Sequence, residues 1–117
     1  MYNLSHKDFS CLYNIMESIL KIQQYSEKFN NADSFLDDTM SFEASMMNFI
    51  VIGEMVEKLS EDFISKSSDK IDWFKVRGFR NIIAHNYFGI DAEEVWQIIQ
   101  TSLIDLKKEL ELIINTK

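Results

Sequence analysis

With 117 residues, 46% of them hydrophobic and 26% charged, the chain has the length of one domain, residues 1–117, and the balance of an ordinary folded globule. The longest apolar run, Phe49 to Ile52, is far short of the ~20 residues that span a bilayer, and residues 1–10 contain no signal-peptide core. A cytoplasmic protein without membrane contact is therefore expected. The net charge of −7 argues against a general basic surface that grips long nucleic acid. The single cysteine, Cys11, has no partner for a disulfide and no His or second Cys nearby, so it reads as a small core residue.

The charge is unevenly spread. Between Lys70 and Phe88 four positive residues, Lys70, Lys75, Arg77 and Arg80, face one acid, Asp72, so this segment carries +3 and the rest of the chain −10. Both arginines of the protein lie here, against ten lysines overall. Arginine is the better side chain for holding a phosphate in a fixed, two-pronged geometry.

The absence of proline and the wide spacing of Gly53, Gly78 and Gly89 favour helices throughout. Ser5-His6-Lys7-Asp8 has the form of a capping box, and Phe9, Leu12, Ile15, Met16, Ile19, Ile22 and Phe29 then recur at three- and four-residue spacing, which predicts a helix over about 6–29. His6, at its start, reads as solvated surface. Asn30 to Asp33 break this helix, and Phe35-Leu36 suggest a short turn before Thr39. A long second helix follows, with Phe42, Met46, Phe49, Ile50, Gly53, Val56 and Leu59 on one side, fading in the polar stretch 65–69. Gly53 in mid-helix costs about 1 kcal/mol against Ala, which points to a close helix crossing. Asp72 reads as the N-cap of a third helix starting at Trp73, whose apolar face is Trp73, Val76, Ile83 and Phe79. Gly89 is the expected stop. Asp91 to Glu94 open a last helix with acids at its positive end and the series Val95, Ile98, Ile99, Leu103, Leu106, Leu110 and Ile113. The expected fold is all-α, an antiparallel bundle of four to five helices.

No phosphate-binding glycine loop, H-E-x-x-H or Cys/His cluster is present, and no metal or cofactor is expected. The chemistry concentrates in Arg80-Asn81-Ile82-Ile83-Ala84-His85-Asn86-Tyr87. An R-x-x-x-x-H spacing arises by chance in roughly one chain in ten of this length, and a Tyr two positions on lowers this about thirtyfold. His85 suits proton transfer near neutral pH, and Arg80 suits charge building on a phosphate. Beside Gly53, the Glu54 carboxylate is placed to pair with Arg80 or Arg77, the alternative being a surface glutamate. On a continuous helix Arg80 and His85 lie about 140° apart. Either the helix ends near Ala84 and His85 turns back, or two copies meet across a two-fold axis. Tyr87 falls within ~20° of Arg80 if the helix continues, sharing its mouth, or else packs its ring at the helix end.

This run resembles the R-x-x-x-x-H-x-Y signature of HepT-like proteins, a branch of the HEPN helical ribonucleases found as toxins beside a small nucleotidyltransferase antitoxin. The likeness extends over about residues 42–110 through Ile52-Gly53-Glu54, Ile71-Asp72-Trp73, Arg77-Gly78-Phe79-Arg80-Asn81, Ile90-Asp91 and Val95-Trp96. The proline that the family often has before the tryptophan is missing. The resemblance implies a bundle of HEPN type and metal-independent RNA cleavage by Arg80, His85 and Asn81, with Glu54 and Arg77 in support. It also implies an active site composed across a homodimer, and silencing by transfer of AMP from the antitoxin to Tyr87. A reading of another class keeps the same segment as the docking surface of a non-catalytic partner that presents substrate to a nucleotidyltransferase. A helical interaction module without nucleotide chemistry fits the clustered arginines and His85 less well.

Overall fold

The first helix, α1 (His6–Ser26), starts where Ser5 Oγ accepts the Asp8 amide at 3.0 Å and buries Cys11, Leu12, Ile15, Ile19 and Ile22 along one stripe. It ends three residues before Phe29, and the buried Ser26 hydroxyl in its last turn donates back to the Ile22 carbonyl at 2.8 Å. Phe29 keeps the apolar period for another reason, since its ring meets Phe35 at 5.7 Å. Phe35 belongs to a short helix, α2 (Ala32–Asp37), capped by Asn31, and its fully buried ring also touches Phe42 and Trp96. Asp38 then caps α3 (Thr39–Lys58) by accepting the Ser41 amide at 3.0 Å. The structure, a computed structural model, describes residues 2–85 and 91–115.

The second long pattern is interrupted where the sequence shows no breaker. At Leu59 the backbone turns extended, and Ser60 caps a further short helix, α4 (Glu61–Ser67). The cause is 52 residues away in sequence: Asp8 of α1, buried, accepts the Ser60 amide at 2.8 Å and the Ser60 hydroxyl at 2.6 Å. Ser60 Oγ in turn accepts the Phe63 amide at 3.1 Å. A second buried relay follows, in which Trp73 Nε1 donates to Ser67 Oγ at 2.8 Å and Ser67 Oγ donates to the Phe63 carbonyl at 2.7 Å. It fixes the start of α5 (Trp73–His85), whose cap is Asp72, accepting the Lys75 amide at 3.0 Å as expected. Trp73, Val76 and Phe79 of α5 are buried. The side chain of Ile83 and the stop expected at Gly89 lie outside the described residues.

The last helical pattern is divided at Thr101 into α6 (Ala92–Gln100) and α7 (Ser102–Asn115). Thr101 Oγ1 donates to the Gln97 carbonyl at 2.7 Å, a back-bond that bends helices. On either side of the bend, α6 packs on α2 and α7 packs on α1. Among the described residues the fold is thus an all-α bundle of seven helices, four long runs with two short helices added and the last run broken. Its centre is α3, packed between α1 and α5. Among the described residues no helix is long and apolar enough to cross a membrane.

Two outcomes follow from these contacts. Asp8→Ala strips the Ser60 amide and hydroxyl of their acceptor and is expected to cost about 2–4 kcal/mol in urea unfolding. Burial, and then the nearby Asp8 carboxylate, push the Cys11 thiol up from its ordinary range. Native protein is therefore expected to react with iodoacetamide at neutral pH at least about tenfold more slowly than protein unfolded in urea.

Candidate active site at the crossing of α3 and α5

Gly53 of α3 lies against α5 so closely that a Cβ built on it falls 2.6 Å from Arg80 Cβ, 3.4 Å from the Arg77 carbonyl and 3.5 Å from the Arg80 amide. No other residue type fits without moving a backbone. One turn away the Phe49 and Phe79 rings meet edge to face at 5.7 Å, closing the apolar side of the same crossing.

On the polar side the two arginines meet carboxylates of α3. Glu54 Oε1 lies 3.2 Å from Arg80 Nη1, and Glu57 Oε1 lies 3.6 Å from Arg77 Nε. Of the two partners open to Glu54, the structure gives Arg80. Glu57 was not singled out in the sequence, yet a signal existed: Glu54 and Glu57 are three residues apart, as are Arg77 and Arg80, and α3 and α5 run antiparallel at their contact. Matched i, i+3 spacings on two crossing helices align as two rungs.

These pairs are open to exchange. The Arg80 and Glu54 side chains are 37% and 49% exposed, and Arg77 and Glu57 are 46% and 45% exposed, so each pair contributes at most about 1 kcal/mol. Both guanidinium groups therefore remain able to trade a carboxylate for a phosphate. Asn81, the next residue, is exposed on α5.

Helical backbone reaches His85, the last residue of α5. His85 is one residue past Ala84, so ideal helix geometry sets it about 140° from Arg80 about the axis, and a turn back of its side chain and a pairing of two copies both stand as readings. The imidazole of His85 and the whole of Tyr87 lie outside the described residues. Among the described residues no group of three or more His, Cys, Asp or Glu converges.

The fold is a helical bundle of HEPN type. Residues 15–113 match the family described as "HepT-like: Ribonuclease HepT-like". A protein of Methanocaldococcus jannaschii named "Putative RNase" is 35% identical over 104 residues, 89% of this chain and 84% of that protein. A second of the same organism, also named "Putative RNase", is 30% identical over 102 residues, 87% and 92% of the two chains. "Probable ribonuclease HepT" of Thermococcus cleftensis is 28% identical over 107 residues, 92% and 94% of the two chains. No solved structure gives a significant match. The chain belongs to the ribonuclease HepT-like family.

The two glycines of this region separate packing from propensity. Gly53→Ala gains helix propensity but drives a methyl group into Arg80 Cβ, with an expected net loss of about 1–2 kcal/mol in denaturant unfolding. Gly78 has nothing within 4 Å of its Cβ position, so Gly78→Ala is expected to stabilise by about 0.5–1 kcal/mol.

Proposed function

We propose that the chain is a metal-independent endoribonuclease toxin, with Arg80, His85 and Asn81 as its catalytic residues and a minimal nucleotidyltransferase as its antitoxin. The observation that carries the reading is the state of Arg80: half-exposed, braced from behind by the Gly53 contact, and held at 3.2 Å by a Glu54 carboxylate that a phosphate can displace. Membership of the ribonuclease HepT-like family supports the RNA substrate.

The chemistry is internal transesterification. Neutral His85 takes the proton of a ribose 2′-OH as the 2′ oxygen attacks the adjacent phosphorus. The P–O2′ bond forms, the P–O5′ bond breaks, and a proton passes to the departing 5′ oxygen. Products end in a 2′,3′-cyclic phosphate and a 5′-OH. Arg80 pairs with the non-bridging oxygens as their charge grows, and Asn81 orients the phosphate or the imidazole. Arg77 adds positive charge one turn earlier, and Glu54 parks Arg80 between turnovers.

Because α5 separates Arg80 and His85 by about 140°, the reading includes a homodimer whose two α5 helices complete one composite cleft. Control is by AMP transfer. The Tyr87 phenol oxygen attacks the α-phosphorus of ATP in the antitoxin's active site, releasing pyrophosphate, and the new phosphodiester adds bulk and negative charge at the RNA entrance. We place this activity in the cytoplasm.

Purified wild-type protein in EDTA is expected to cut single-stranded RNA to cyclic-phosphate ends, and Arg80→Ala and His85→Ala to lower the rate at least about a hundredfold. Equal cleavage by wild type and His85→Ala overturns the assignment. RNA left intact by all three, with a nucleotidyltransferase complex persisting on gel filtration, turns the segment into a docking surface.

A further inference from the structure

Trp73 and Phe74 are neighbours on α5 with opposite fates. Trp73 is buried in the relay with Ser67, whereas Phe74 is 77% exposed, the most exposed aromatic ring among the described residues. Three residues on, the Arg77 guanidinium lies 5.5 Å from the centre of the Phe74 ring. Along α5 the positions 74, 77 and 81 fall within ~60° of one another, with ~10 Å of rise from Phe74 to Asn81. An exposed aromatic ring, a guanidinium lying over it and the exposed Asn81 thus follow one another on a single stripe leading toward the proposed cleavage residues. The stripe sits within the +3 segment of a chain that is otherwise −10.

An aromatic ring beside an arginine plane is what unpaired nucleobases stack on, and the arginine serves the adjoining phosphate as well. The Glu57 carboxylate at 3.6 Å, half-exposed, is a resting partner that the phosphate replaces. Beside Phe74 a groove where α3, α4 and α5 meet is lined by Val56, Ile64 and Trp73 on its apolar part and by Glu57, Glu61 and Arg77 on its polar part.

We infer that Phe74 and Arg77 form a stacking subsite for one unpaired base of an RNA strand, two helical turns before Asn81. The inference rests on the ribonuclease reading and deepens it by naming where the strand is gripped away from the scissile bond. It gives the protein a preference for single-stranded over duplex RNA, because a paired base has no free face to offer.

The test is binding of a fluorescent single-stranded RNA of about twelve nucleotides, and of its duplex, in EDTA to wild-type protein, Phe74→Leu and Phe74→Trp. Substituting so exposed a side chain leaves folding nearly untouched, checked by thermal unfolding. Phe74→Leu is expected to weaken single-strand binding about tenfold, with a matching rise in KM, while Phe74→Trp stays within about twofold of wild type. Wild type is expected to bind the duplex more weakly than the single strand. Unchanged affinity in Phe74→Leu overturns the subsite, as does a wild type that binds neither RNA. A change of assembly mass in Phe74→Leu with RNA affinity unchanged also overturns it, and assigns the ring to a protein contact. Binding that depends on Phe74 without cleavage that depends on His85 upholds the subsite and removes the nuclease reading, so the two fail separately.

Discussion

The approach of α3 to α5 at Gly53 is the contact on which the polar surface of this protein depends. A helix pair held apart by ordinary side chains keeps its axes about 8–10 Å apart. Here the missing Cβ lets the Arg80 stem rest on the α3 backbone, with Phe49 and Phe79 sealing one side of the crossing. Glu54 and Glu57 on the other side then come within reach of Arg80 and Arg77. The arginines are aimed by packing at their base, while their charged ends stay free to change partner.

The position of α5 along that crossing is set elsewhere. Asp8, buried on α1, ends α3 by holding Ser60, and α4 then carries Ser67 to the Trp73 indole. Two short polar relays therefore transmit the placement of α1 to the first turn of α5. Every side-chain polar atom buried among the described residues has a hydrogen-bond partner, so these relays stabilise the bundle rather than strain it.

Electrostatics gives the proposed site its character. A chain of net charge −7 repels a phosphate backbone over most of its surface, and the only arginines are paired with glutamates when no ligand is bound. Binding through so few cations releases few counterions, so it is weak and only shallowly dependent on salt. An exposed aromatic ring next to Arg77 adds a contact that does not depend on charge, which suits a protein with little charge to spend on RNA.

The sequence by itself determined the helical class, the caps at Ser5 and Asp72, the acidic opening of the last helical run at Asp91, the buried stripe of each long helix and the close crossing at Gly53. These are local or periodic properties, written within a few residues of where they act. It also offered Glu54, beside the mid-helix glycine, as a partner of Arg80 or Arg77, but left a surface glutamate open as the alternative, and the pairing with Arg80 came from the structure. Only the tertiary structure placed the stop at Leu59, where the carboxylate of Asp8, 52 residues before Ser60, holds the next turn, and the division at Thr101. The pairing of Glu57 with Arg77 was likewise settled by the register between α3 and α5. Periodicity fixes which face of a helix is apolar, but the partner element decides which residue at the margin of that face is covered.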